Sequence, residues 1–200
     1  MATDELLLRD SPIPVLRLYR WARPEVTFGY PQRWTDVEPL TRGRPATRRW
    51  TGGGFVEHGD DLTLALTIPA TEDLATLRPT ESYRHIHTAI RDALLPAHPT
   101  IRLATAADAT AGLACFNAPA CLDVLLGDRK IVGGAQRRTR AGLLYQGSLQ
   151  GLVPPADFAE NLARALATNV TPFDPSQTPD ATDLAATRYA NPAWTLTRRA

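Results

Sequence analysis

Apolar and polar positions alternate most regularly over residues 62–68, where Leu62, Leu64, Leu66 and Ile68 are separated by Thr63, Ala65 and Thr67. A period of two belongs to a strand with one buried face. Leu16 and Leu18 against Arg17 and Tyr19 predict a shorter strand over 15–20, and Val26, Thr27 and Phe28 another, stopped by Gly29 and Pro31. Residues 101–104, 121–126, 129–137 and 142–149 read as further strands, the last three joined by turns. The period changes over 80–95, where Tyr83, Ile86, Ile90 and Leu94 recur at spacings of three and four. That predicts an amphipathic helix, with Thr80 as its N-cap and Pro96 as its stop. Residues 157–170 repeat the pattern through Phe158, Leu162 and Leu166. Shorter helices are expected at 2–9, 35–40 and 182–189, with 192–196 a tail anchored by Trp194. Residues 104–114 are small and weakly patterned and read as a loop. Strands in groups with helices between them predict an α+β fold. With no repeat and no break in composition, residues 1–200 are expected to form one domain.

Composition narrows the function. The chain has 200 residues, 44% apolar, with a formal net charge of +1. That charge gives no bulk attraction to nucleic acid or to a membrane surface. No apolar run reaches the length of a membrane span, and the opening MATDELLLRD lacks the basic-then-apolar order of a signal peptide. With 2 cysteines, the reading is a cytoplasmic protein in a reducing compartment.

The lysine count changes the picture more. Among 22 lysines and arginines there is a single lysine, Lys130. An ammonium is a compact charge with three rotatable donors, a different tool from a planar guanidinium. Lys130 follows the turn at Gly127-Asp128 and opens Ile131-Val132-Gly133-Gly134-Ala135, where glycines allow close approach to the backbone. The expectation is a lysine at a site mouth, contributing little core burial. Cys115, in a small-residue loop shortly before it, reads about equally as an activated thiol or as a small buried hydrophobe. Cys121, within an apolar segment, reads as buried. Thr51-Gly52-Gly53-Gly54 is either a ligand-facing loop or a plain hairpin turn, with His58 close behind. Two cysteines and four scattered histidines do not make a zinc pattern. His85 and His87, two apart on a helix, read as solvated or partly packed. The arginines of 42–49 and 137–140 are either a solvated face or a basic patch for an acidic partner, with Arg42, Arg44, Arg137 and Arg138 its candidates. Nucleic acid fits less well, because the arginines are not interleaved with stacking aromatics.

Three segments together resemble a known family. RRWTGGGFVEHGDDLT at 48–63 is similar to an Arg-Arg-x-x-Gly-Gly run followed by His, LDVLLGDRKIVGGAQRRTR at 122–140 to a Gly-x-Lys-Ile-x-Gly-x-Ala segment, and CFNAP at 115–119 to a segment with a nucleophilic cysteine. These are features of the lipoate–protein ligase and octanoyltransferase group of the biotin/lipoate ligase superfamily, the third of its cysteine-dependent octanoyltransferase branch. MATDELLL at 1–8, YQGSL at 145–149 and ATRYANPAW at 186–194 match more weakly. The resemblance implies a mixed β-sheet flanked by helices, related to class II synthetase cores. It implies that Cys115 and Lys130 are catalytic, and that Arg49, Thr51, Gly52, Gly53, Gly54 and His58 face Gly133, Gly134 and Ala135 across an acyl pocket. The implied reaction moves an octanoyl or lipoyl group from acyl carrier protein, through Cys115, to a lysine of a lipoyl-domain protein. That acceptor is glycine cleavage H protein or a 2-oxoacid dehydrogenase subunit. No metal or cofactor is needed; ATP and magnesium enter only in the ligase alternative, and a non-catalytic carrier-binding module is the other alternative. The chain departs from the family pattern in four ways. It begins within the Met-Ala-x-Asp-Glu segment, carries Gln146 where the family often has His, has Gly54-Phe55 for an Arg-Gly pair, and shows no accessory domain.

Overall fold

The computed structural model describes residues 1–109 and 118–199. The strand periodicities assemble one sheet of six strands in the order β1-β5-β9-β8-β7-β6. They are β1 (Val15–Tyr19), β5 (Leu62–Pro69), β6 (Ile101–Leu103), β7 (Val124–Leu126), β8 (Arg129–Thr139) and β9 (Gly142–Leu149). Every pairing in this sheet is antiparallel. The parallel pair that makes the fold mixed lies in a second sheet, where β2 (Glu25–Phe28) runs parallel to β3 (Ala46–Arg48) and antiparallel to β4 (Val56–His58).

The alternation in β5 sorts its residues by face. Leu64, Leu66 and Ile68 join Leu143, Tyr145 and Leu149 of β9 in a core sealed by Ile86, Ile90 and Leu94 of α4 (Pro79–Leu94) and Phe158 and Leu162 of α5 (Phe158–Leu166). The opposite face carries Gln146 and meets α1 (Ala2–Asp10), where Gln146 Nε2 donates to Asp4 Oδ2 at 2.8 Å. A smaller core of Val26, Phe28, Val37 and Phe55 joins the second sheet to α2 (Trp34–Thr41). Short helices α3 (Asp73–Thr76) and α6 (Thr182–Leu184) complete the connections, the latter running into a π-helical turn over Ala185–Tyr189.

Several expectations change. α4 begins one residue earlier than predicted, with Pro79 in its first turn and the Glu81 carboxylate accepting from the Arg78 N–H at 3.1 Å, so Thr80 is not the cap. The tail is a helix, α7 (Pro192–Thr197), capped by Asn191. Its Trp194 Nε1 donates to the Arg48 carbonyl at 2.9 Å, closing the edge of β3. Arg48 in turn donates to the carbonyls of Tyr30, Gln32, Trp194 and Thr195. Arg48 and Arg49 are therefore buried structural cations and not a solvated face. Arg137 and Arg138 occupy opposite faces of β8: Arg137 lies over Tyr30 and Trp50, while Arg138 bonds Ala75 and Ser82 on the α4 side. The proposed patch of Arg42, Arg44, Arg137 and Arg138 is therefore not one surface. Cys121 is exposed, because Asp123 accepts from the Ala120 N–H and holds residues 120–122 in a turn before β7 begins. His87 is fully buried, its Nε2 2.9 Å from the Tyr145 hydroxyl.

Candidate functional site

The loop after β3 crosses the second sheet so closely that a side chain at Gly29 would meet backbone. A Cβ there would lie 2.0 Å from the Gly53 carbonyl oxygen. Gly53 itself has φ +82, a conformation that favours glycine. Arg49 staples this loop from below. Its Nη2 donates to the carbonyls of Gly52 (3.0 Å) and Gly54 (2.7 Å), and its Nη1 donates to Thr27 Oγ1 at 2.7 Å. Thr51 Oγ1 donates to Gln146 Oε1 at 2.9 Å. Gln146 thus ties the glycine loop to α1 through its two amide ends, which is what the glutamine does at the position where histidine was expected.

Thr27 passes the connection on. Its hydroxyl, accepting from Arg49, lies 2.7 Å from His58 Nε2, and His58 Nδ1 lies 2.8 Å from Asp61 Oδ2. A carboxylate facing Nδ1 places the imidazole proton there, leaving Nε2 to accept from Thr27. Burial works against ionising Asp61, but hydrogen bonds from His58, Ser148 and the Gly59 N–H outweigh it and hold its carboxyl below the usual range. Trp21 stacks on the His58 ring at 4.2 Å, and its indole N–H donates to Thr63 Oγ1. His58 is thereby engaged on both nitrogens and one face.

These groups enclose a cavity of about 30 Å³ lined by Arg49, Gly53, His58, Gly133, Gly134 and Ala135, together with Met1, Thr27, Val56, Thr63 and Gln146–Ser148. Because the polar atoms satisfy one another, the surface turned inward is largely methyl, methylene and glycine. Thr51, Gly52 and Gly54 lie behind this lining and act through the bonds to Gln146 and Arg49.

Lys130 does not line the cavity and is not at a mouth. It is 7% exposed, with Nζ 2.7 Å from Asp123 Oδ2. Asp123 also accepts from the Tyr83 hydroxyl at 2.7 Å, and burial, reinforced by Asp123, raises the Tyr83 pKa, keeping it a phenol donor. The Tyr83 hydroxyl also accepts from the Gly134 N–H at 3.2 Å. Gly134 therefore belongs to both the cavity wall and the Tyr83–Asp123–Lys130 cluster. Its lack of a side chain matters, since a Cβ would sit 2.4 Å from the Tyr145 ring. Cys115 lies outside the described residues. Sequence reasoning missed Thr27, Asp61, Tyr83, Asp123 and Ser148 as partners. His58 and Asp61, three apart across a turn, were the one pair with a local signal. Tyr83 and Asp123 meet only through tertiary packing. Among the described residues no group of His, Cys, Asp and Glu is arranged to hold a metal ion, and no helix is long and apolar enough to cross a membrane.

Residues 1–170 match the model of the lipoyl protein ligase A/B catalytic domain. An octanoyltransferase LipM of Kyrpidia tusciae is 34% identical over 175 residues, covering 80% of this chain and 64% of the relative. One from Moorella thermoacetica is 32% identical over 165 residues, covering 74% and 59%. The chain thus spans about three fifths of the length of these relatives. Among solved structures, a putative lipoate protein ligase from T. acidophilum superposes with a TM-score of 0.73 at 20% identity, over 98% of this chain and 91% of that one. A lipoate-protein ligase A bound with ATP gives 0.73 at 19%, over 98% and 92%. At such identities these two likenesses establish the fold.

Proposed function

This chain belongs to the lipoyl protein ligase A/B catalytic domain family, and from that premise we propose that it transfers an octanoyl or lipoyl group from a carrier-protein thioester, through Cys115, to a lysine of a lipoyl-domain protein. The observation that carries the reading is Gly134, shared between an internally apolar cavity and a buried ammonium. An acyl tail held in the cavity brings its carbonyl to the Gly133–Gly134 backbone. There Lys130, fixed through Asp123 and Tyr83, stabilises the oxyanion of each tetrahedral intermediate.

The chemistry takes two thioester-level steps. The Cys115 thiolate attacks the acyl carbonyl; its C–S bond forms, the carrier C–S bond breaks, and the carrier thiolate leaves and takes up a proton. The neutral acceptor amine then attacks. The amide bond forms, the Cys115 thiolate departs, and the amine proton goes to solvent. Neither step consumes ATP. His58, engaged by Thr27 and Asp61, serves as a fixed wall and not as a base.

The test is the intact mass of the protein after incubation with an octanoyl-carrier thioester and no ATP. One octanoyl adduct is expected, lost in Cys115→Ala and kept in Cys121→Ala. Transfer that needs ATP and leaves no adduct, or full turnover by Cys115→Ala, overturns the covalent route in favour of a ligase.

A further inference from the structure

Around the outer side of the glycine loop, guanidinium groups and rings alternate. Arg137 lies over both Tyr30 (4.9 Å) and Trp50 (5.1 Å), Arg198 over Tyr30 (5.8 Å), and Arg9 over Trp50 (5.9 Å). The ladder thus runs Arg9, Trp50, Arg137, Tyr30, Arg198, bringing together α1, the two chain segments flanking the glycine loop, β8 and the end of α7. It stands at the cavity's rim. Trp50 precedes Thr51, Tyr30 N–H donates to the Thr51 carbonyl at 2.8 Å, and Arg137 is two residues beyond Ala135 on the same face of β8.

We infer that this ladder is the docking surface for acidic side chains flanking the acceptor lysine on the protein that receives the acyl group. The inference rests on the acyltransferase reading above. Arg9 is paired with Glu5, but among the described residues neither Arg137 nor Arg198 forms an ion pair. Cation–π stacking fixes where these guanidinium groups point without neutralising them; the Arg137 Nε is buried, and the terminal Nη donors are the ones offered to carboxylates. Each ring already engages two guanidinium groups, and Tyr30 also packs on Trp194. That leaves poor platforms for nucleotide bases, which need a free aromatic face. The charge is local, because the whole chain carries only +1. A positive rim also selects among acceptors. It repels a bare ammonium, so a lysine reaches the cavity readily only when neighbouring carboxylates cancel the repulsion, and the same field favours the neutral, nucleophilic amine.

The experiment uses the full chain and the double variant Arg137→Glu/Arg198→Glu, with an octanoyl thioester of N-acetylcysteamine as donor. Transfer is followed to an intact apo lipoyl domain and to N-acetyl-lysine methylamide. For the domain, kcat/KM is expected to fall about tenfold or more at low salt, with the gap closing as salt rises; the small amine, which has no carboxylates to dock and no longer meets a positive rim, is expected to show no loss. Titration calorimetry with the same apo domain is expected to show a matching loss of affinity, and reads the surface independently of turnover. Equal loss with both acceptors would make these arginines part of the cavity machinery and overturn the inference. Unchanged domain kinetics and affinity would leave the ladder a structural clasp. A defect seen only when acyl carrier protein replaces the small thioester would assign the surface to the donor. If the parent protein binds the apo domain but transfers nothing, the acyltransferase reading fails while the docking surface stands.

Discussion

At the scale of single residues, Lys130 shows how burial changes the meaning of a charge. Read from sequence, it is a mouth residue whose replacement folding tolerates. In the structure its ammonium and the Asp123 carboxylate are enclosed together, so removing the ammonium leaves a buried carboxylate to the neutral Tyr83 hydroxyl and Ala120 N–H. Lys130→Ala is expected to cost about 3–5 kcal/mol, lowering Tm by on the order of 10 °C. Lys130→Met/Asp123→Leu is expected to regain part of that stability, since a buried pair replaced by apolar groups is often neutral or better while the Tyr83 hydroxyl and Ala120 N–H lose their acceptor, and to transfer nothing. Lys130→Arg keeps the charge but displaces it, with a loss of about a hundredfold in acyl-enzyme formation. Thermal melts alongside acyl-enzyme mass check all three. A Lys130→Ala variant melting with the parent would remove the enclosed pair from the account.

At the scale of elements, the glycine loop functions through what crowds it. Gly29 lies at the end of β2, outside any motif, yet its α-carbon faces the carbonyls of Gly52 and Gly53. A methyl there meets backbone, which cannot swing aside, so Gly29→Ala is expected to displace the loop, break the Arg49 bonds and cut acyl transfer at least tenfold. Gly59→Ala, where nothing lies within 4 Å of the added carbon, is the matched control. Equal activity in the two variants would mean the loop is not a wall of the working site. The contrast also shows what was legible in sequence. The strand β5 and the helix α4 were readable because each carries its own period. The second sheet was harder: β3 has three residues and pairs in parallel with a strand reached across α2, so no local pattern announces it. Within the site, Arg49, Gly53, His58 and Gly133–Ala135 fall on one cavity, but the side chains that orient them come from β2, β9, α4 and the turn before β5. Asp123 looked like one acidic residue among many because its partners Tyr83 and Lys130 are 40 residues before it and on the next strand.

At the scale of the whole molecule, His87 couples the core to pH. Burial depresses its pKa from 6.5 to about 4. The unfolded chain therefore binds this proton at higher pH than the folded one does, and stability rises with pH between those two values. The contribution is complete above about pH 6.5 and lost as pH falls toward 4, on the order of 3 kcal/mol in all. Urea midpoints between pH 4 and 7 are expected to show this slope in the parent and a shallower one in His87→Phe. Parallel slopes would indicate that other groups carry the acid sensitivity.

Arg48 and Trp194 exchange hydrogen bonds across 146 positions of chain. When a ribosome makes the protein from the N-terminus, β3 and the glycine loop emerge long before α7 does. Until Trp194 arrives, the carbonyl of Arg48 and the guanidinium that spans Tyr30 and Gln32 lack their closing partners. The cavity wall is therefore finished late, after β8 and β9 have been made. A chain stalled partway through synthesis would therefore carry Cys115 and Lys130 but not a settled wall around the cavity.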